Sequence, residues 1–311
     1  MEHLARISSS PTTHTSVPYF GKHLFVTGLA RTLIKNTDDF PTRVWLIDNS
    51  ASMNSADGHR VVQNVDTHKV SNITCTRWEE VTATLMWHAN FSIKMQAPTA
   101  VRLIQAPSMG QPQQVGIASA VHVDESTELS RLANMLQQQP SGGGGGPLSH
   151  LLEIVQTCLQ TPSELLGDDK SLAILYVTDR IPVDDNGRDG DDVTKSFLEI
   201  LNLLQGTSVI VVICLSSDEK RVVDFYNDLD RRMDAVSLPT KHADSEGAMP
   251  RHNLHLGLID DFVSEAGAVH VHNSWLNYAY PLHLCRESAV QFQSLTPSMI
   301  VLSIRTNWSN S

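Results

Sequence analysis

The sequence predicts an α/β protein built on a doubly wound parallel sheet, and two observations carry that prediction. Val44-Trp45-Leu46-Ile47, Leu172 to Val177 and Val209 to Leu215 are apolar on both faces, as strands sandwiched between two layers of helices must be. The segments between them repeat apolar residues at helical spacing. Buried strands alternating with helices in this way fold as a parallel sheet covered on both sides.

The elements follow in order. Met1 to Phe20 is Ser/Thr/Pro-rich and reads as disordered, without the apolar stretch of a secretory signal. Phe25, Leu29, Leu33 and Ile34 then predict a helix within 21–36. The first strand, 44–47, ends on Asp48, and the small polar stretch Asn49-Ser50-Ala51-Ser52 follows. Residues 54–76 alternate polar and apolar positions around Asp57-Gly58, which suits an inserted hairpin or a long loop. Thr76 is placed to cap a helix over Arg77 to His88, with Glu79 completing a capping box. Strands are expected at 99–104 and 115–123, then a helix at 126–139 with Leu129, Leu132, Ala133 and Leu136 on one face.

A run of five glycines, 142–146, precedes Pro147, which is suited to the first position of a helix over 148–160. Beyond the strand 172–177, Asp184, Asp185, Asp189, Asp191 and Asp192 form an acidic loop, read as solvated surface because it lacks the ordered spacing of a calcium loop. Helices at 193–204 and 218–233 flank the strand 209–215. A helix over 254–266 and a last core strand at 268–272 are expected next. The resulting division is an N-terminal extension, 1–38, a central domain, 39–274, and a C-terminal extension, 275–311, whose Trp275, Tyr278 and Tyr280 no pattern places.

Composition narrows the function. The chain has 311 residues, 41% hydrophobic and 18% charged, with a formal charge of −11. It carries no dense basic stretch, so nucleic acid is not an expected partner. No run approaches the roughly 18 to 20 apolar residues of a membrane span. The cysteines, Cys75, Cys158, Cys214 and Cys285, stand far apart and read as reduced thiols rather than a disulfide framework. An intracellular compartment, cytoplasmic or nuclear, is therefore expected. His252 and His255, and His270 and His272, lack a third spaced ligand and are not read as a zinc site.

The sharpest local feature is Asp48-x-Ser50-x-Ser52 directly after the first buried strand, with Asp179 ending another buried strand in the same manner. Ligands of open α/β sheets bind beyond the carboxyl ends of the strands, where strand order reverses. If these two strands flank that point, both carboxylates face one crevice. The string Val44 to Met53 resembles the metal-ion-dependent adhesion site of von Willebrand factor A domains, and Leu175-Tyr176-Val177-Thr178-Asp179 resembles that family's fourth strand with its metal-associated aspartate. The resemblance spans approximately 40–273, although only these two strands and their loops are specific.

The resemblance implies a six-stranded, mostly parallel sheet in the order 3-2-1-4-5-6, with helices on both faces and an antiparallel third strand at an edge. It implies a divalent cation, Mg²⁺ in the first instance and Mn²⁺ or Ca²⁺ as alternatives, held by Asp48, Ser50, Ser52 and Asp179. It also implies a protein partner that completes the ion's shell with an Asp or Glu carboxylate. A hard cation such as Mg²⁺ takes oxygen ligands in octahedral geometry and keeps several waters, which suits these residue types.

Two positions depart from the family. Glycine, Gly145-Gly146, stands before Pro147-Leu148 where a threonine hydroxyl is usual, and Arg180 follows Asp179 where glycine is usual. Gly146 and Arg180 are therefore candidate partner contacts; a guanidinium there either repels the cation or binds a partner carboxylate.

An enzyme is the competing expectation: Asp48 as the nucleophile of a Mg²⁺-dependent phosphoryl transfer. Against it, haloacid-dehalogenase chemistry wants a second acid two residues after the first, where Ser50 stands. Neither a Gly-x-x-x-x-Gly-Lys-Ser/Thr loop nor a Gly-x-Ser-x-Gly elbow occurs. A scaffold whose metal site has decayed is the third reading.

Overall fold

The computed structural model describes residues 27–63, 70–107, 110–119, 124–138, 140, 148–159, 171–205, 207, 209–236, 255–272 and 280–287. Helix α1 (Thr27–Asp39) leads into β1 (Thr42–Ile47), every residue of which is buried. A short 3-10 turn, Ala51–Asn54, follows, then a hairpin of β2 (Gly58–Gln63) and β3 (Val70–Cys75). Next come α2 (Arg77–Met95), β4 (Thr99–Leu103), β5 (Gln114–Ile117) and α3 (Glu125–Leu136). The chain continues through α4 (Leu148–Leu159), β6 (Leu172–Thr178), α5 (Asp191–Asn202), β7 (Val209–Leu215) and α6 (Lys220–Val236). It closes with β8 (His255–Ile259), α7 (Phe262–His272) and α8 (Tyr280–Glu287).

Six strands form one sheet in the order β5-β4-β1-β6-β7-β8. All neighbours are parallel except β4 and β5, so β5 is an antiparallel edge. With the hairpin set aside as an insertion, this is the order 3-2-1-4-5-6. The pleat sends Val44 and Leu46 to one face and Trp45 and Ile47 to the other. The first face packs with Ile174, Tyr176, Ile213, Phe197 and Tyr226; the second packs with Leu175, Val177, Val212, Trp78 and Leu85. A third buried cluster joins Leu33 of α1, Phe91 and Met95 of α2, and Leu282, Leu284 and Cys285 of α8. Residues beyond 274 thus contribute to the packed structure.

Local chemistry explains the start of α2. Thr76 Oγ1 accepts from the Glu79 backbone N–H at 3.1 Å, and Glu79 Oε2 accepts from the Thr76 N–H at 2.8 Å. The capping box read from the sequence is present, and the helix continues past His88 to Met95. The 54–76 insertion is a hairpin, and its first strand residue, Gly58, lies so close to Thr76 and Arg77 that a Cβ there would meet the Thr76 carbonyl oxygen at 2.7 Å.

One part of the sequence reading is reversed. The segment expected to open a helix at 254–266 begins as a strand, 255–259, and the expected strand at 268–272 lies inside helix α7. Five residues suffice for an edge strand, and its apolar positions suit either structure; the alternating Ala268-Val269-His270-Val271-His272 imitates a strand locally. The β-run expected at 115–123 ends at Ile117, with Ala118 at a φ of 52°. Among the described residues no helix is long and apolar enough to cross a membrane.

Candidate functional site

β1 and β6 are parallel neighbours at the point where strand order reverses, and Asp48 and Asp179 each follow the last residue of their strand. The Asp48 N–H continues the ladder to the Val177 carbonyl at 2.9 Å. Asp48 Oδ1 then turns back to accept from the Ser50 N–H at 2.9 Å, which fixes the start of the loop. Asp48, Ser50 and Asp179 are buried.

The side chains form one connected path. Ser50 Oγ lies 3.0 Å from Ser52 Oγ, and Ser52 Oγ donates to Asp179 Oδ1 at 3.0 Å. Thr178 Oγ1 donates to Asp48 Oδ2 at 3.2 Å. The residues singled out from the sequence, Asp48, Ser50, Ser52 and Asp179, therefore meet in one crevice. Burial and the nearby Asp179 charge hold the Asp48 carboxyl above the usual carboxylate range, against the opposing pull of Arg180.

Two guanidinium groups share this crevice, and they are held differently. Arg77, the first residue of α2, donates from Nη1 to Asp179 Oδ2 at 2.8 Å and from Nε to Asp57 Oδ1 at 2.7 Å, with a further bond from Nη2 to Asp57 Oδ2 at 2.5 Å. Burial disfavours its charge, but the hydrogen bonds it donates to Asp57 and Asp179 outweigh that and raise its pKa. Arg180 Nε stands 3.6 Å from Asp48 Oδ2 and 3.8 Å from Asp179 Oδ1, outside hydrogen-bonding distance of both. That nitrogen is buried and has no hydrogen-bond partner. The Arg180 backbone is firmly placed, since its carbonyl accepts from Tyr226 Oη at 3.1 Å, and Thr178 Oγ1 lies 3.2 Å from the same oxygen.

The spacing of Ser50 Oγ, Ser52 Oγ and Asp179 Oδ1 is compatible with a small hard cation. Ligands about 2.0 to 2.1 Å from Mg²⁺ in an octahedron stand roughly 3.0 Å apart along an edge. The Ser50–Ser52 and Ser52–Asp179 separations are each 3.0 Å. The donors are two carboxylates and two hydroxyls, which is chemistry that Mg²⁺ accepts. What opposes an ion is charge: Arg77 occupies one oxygen of Asp179, and Arg180 straddles both carboxylates.

Gly146 lies outside the described residues. Ser149, its nearest hydroxyl neighbour in the helix that follows, donates to Asp185 Oδ1 at 2.8 Å, and its hydroxyl is thus engaged by the acidic loop. In that loop Asp184 Oδ1 accepts from the N–H groups of Asn186 and Arg188, each at 2.8 Å, as a turn does. Among the described residues no group of three or more His, Cys, Asp and Glu side chains is arranged to hold a metal.

Sequence reasoning missed Arg77, Asp57 and Thr178 as parts of this crevice. Thr178 carried a faint signal, a hydroxyl closing an otherwise apolar strand. Arg77 carried none, because its partner lies 102 residues away.

A second polar group was also missed. Glu287 of α8 lies between His88 (3.3 Å) and His283 (3.4 Å), all three buried. Burial opposes ionisation of Glu287, but the two histidines hold it down at about 2. Glu287 also lines a small, partly open cavity together with Trp45, Glu80, Cys214, Asp260 and His283 among others. The signal available was His283 and Glu287 at i, i+4.

No known protein family and no curated protein matches the chain. Among solved structures, a variant of the PilB minor pilin from Streptococcus sanguinis is similar, with a TM-score of 0.46 and 12% identity over 82% of this chain. The chain spans 63% of the length of that structure. The class of the molecule therefore rests on its own strand order and crevice: a doubly wound α/β domain with an oxygen-rich site at the switch point.

Proposed function

We propose that this chain is a binding module of the von Willebrand factor A type, which recognises a protein partner at the crevice where β1 and β6 end. Asp48, Ser50, Ser52 and Asp179 would hold a divalent cation there, Mg²⁺ in the first instance, with Mn²⁺ or Ca²⁺ as alternatives. The ion would offer an open coordination position to an Asp or Glu carboxylate of the partner. The observation that supports this reading is the continuous path Ser50–Ser52–Asp179, with both links at 3.0 Å. The strand order and the antiparallel edge strand agree with it.

A binder, rather than an enzyme, is the reading advanced. Both oxygens of Asp48 accept hydrogen bonds, and Ser50 stands where phosphoryl transfer would want a second acid. A formal charge of −11 supports a partner other than nucleic acid. The free thiols of Cys75, Cys214 and Cys285 support an intracellular setting.

The test is retention of the full chain on immobilised Asp- and Glu-bearing peptides. Retention in Mg²⁺ that is lost with chelator and in Asp48→Asn is the expected result. Retention that survives chelator instead makes the chain a scaffold without a metal function. Hydrolysis of an aryl phosphate that Asp48→Asn removes would overturn the binding reading.

A further inference from the structure

We propose that Arg180 is a displaceable internal cation of the crevice, so that its guanidinium and a divalent ion are mutually exclusive occupants. This rests on the reading that Asp48, Ser50, Ser52 and Asp179 form the ion's oxygen set, and it adds a regulator to that set.

The two arginines of the crevice are held in different ways. Arg77 is fixed by hydrogen bonds to two carboxylates, and its side chain is 10% exposed. It serves as a permanent counter-ion behind Asp179. Arg180 sits on the other side of the same carboxylate, at 3.6 Å from Asp48 and 3.8 Å from Asp179, and its side chain is 27% exposed. Among the described residues no acceptor takes a hydrogen bond from its guanidinium, and Nε is buried without one. Arg180 is therefore held by charge alone, at the place where an ion bridging the two carboxylates would exert the same attraction.

Two cations cannot share that position. A divalent ion between Asp48 and Asp179 would stand a few ångströms from Nε, and like charges at such a distance repel strongly in a buried setting. Leaving costs the guanidinium no hydrogen bond, and the partial exposure of its side chain gives it a route to solvent. The backbone need not move, because the Arg180 carbonyl keeps the hydrogen bond it accepts from Tyr226 Oη. Ion binding thus transfers the guanidinium from the crevice to its mouth, and ion affinity is set by the strength of this internal competitor.

The experiment is calorimetric titration of Mg²⁺ into the full-length wild type, Arg180→Met, Arg180→Lys and the double variant Arg180→Met/Asp48→Asn. Arg180→Met keeps much of the apolar stem and removes the charge. The expected result is Mg²⁺ affinity at least about tenfold tighter in Arg180→Met than in the wild type. Arg180→Lys should remain near the wild type, and the double variant should bind none. Equal affinity in wild type and Arg180→Met would overturn the proposal while leaving the oxygen set intact. Absence of binding in both would overturn the oxygen set, and this proposal with it. A second readout needs no substitution to fold: the Nε–H resonance of Arg180 in the wild type should shift on saturation with Mg²⁺, while that of Arg77, bonded to Asp57, stays in place. An unmoved Arg180 resonance in the Mg²⁺-saturated protein would also overturn the proposal.

Discussion

Arg77 Nη1 donates a 2.8 Å hydrogen bond to Asp179 Oδ2 across 102 residues of chain, tying the first turn of α2 to the end of β6. The Asp179 side chain is 0% exposed, so its carboxylate depends on fixed donors. The same guanidinium binds Asp57 and holds that carboxyl below the usual range. One side chain therefore joins the hairpin insertion, the helix and the crevice.

Removing it should cost stability. Arg77→Met leaves a buried carboxylate short of its main partner, a change that typically costs about 3 to 5 kcal/mol. Arg180 remains beside Asp179, so the expected loss lies toward the lower end of that range. Urea denaturation should show a lower midpoint with an unchanged slope. A midpoint equal to that of the wild type would mean that Asp179 does not depend on Arg77.

Gly58→Ala tests the approach of the hairpin to α2. The new Cβ would meet Thr76 O at 2.7 Å and Arg77 N at 2.8 Å, both backbone atoms that cannot rotate aside. The hairpin must shift, and overpacking of this kind costs about 1 to 3 kcal/mol. The melting temperature should fall, and with it the Asp57–Arg77 pairing; a variant that melts with the wild type would place the hairpin farther from the helix.

Glu80 makes stability depend on pH in an unusual direction. Burial, reinforced by Asp261 and Glu287, raises its carboxyl to about 8, while its bond from the His59 N–H pulls the other way. A folded-state pKa above the unfolded value contributes stability that is full below about pH 4.5 and is lost as pH rises toward 8. Glu80→Gln keeps an acceptor for His59 and removes the titration. The variant should therefore gain on the wild type by roughly 1 to 3 kcal/mol between pH 5 and pH 8.5. Thermal unfolding of both proteins at the two pH values measures this, and a gap that does not widen with pH counts against it.

Ser52→Ala separates ion binding from folding. Ser52 Oγ is the middle link between Ser50 and Asp179, and the residue is partly exposed. The loss of one hydrogen-bonding hydroxyl should cost about 1 kcal/mol or less of stability. Mg²⁺ affinity measured by calorimetry should fall clearly, because one of the four side chains proposed to hold the ion loses its oxygen. An unchanged affinity would remove Ser52 from the oxygen set.

The core strands and the motif were legible because their causes are local. β1, β6 and β7 are buried on both faces, so each reads as an unbroken apolar run. The capping box of Thr76 and Glu79 spans four residues and is settled within them. The C-terminal elements were not legible for the converse reason. His255 to Ile259 is short enough to suit either structure, and only pairing with β7 makes it a strand. Ala268 to His272 alternates like a strand, yet it lies in a helix that starts at Phe262.

By itself the sequence determined the doubly wound class, the Asp48-x-Ser50-x-Ser52 turn at a strand end, and Asp179 as its counterpart. Each depends on residue type and spacing along a few consecutive positions. The tertiary structure decided what shares the crevice with these oxygens. Arg77 arrives from the start of a helix 29 residues beyond Asp48 and is locked by carboxylates of two other segments. Arg180 was visible as the residue after Asp179, but only the pairing of β1 with β6 turns its side chain toward both carboxylates. Charge balance in a buried site is a property of what the fold brings within a few ångströms, and chain spacing carries no record of it.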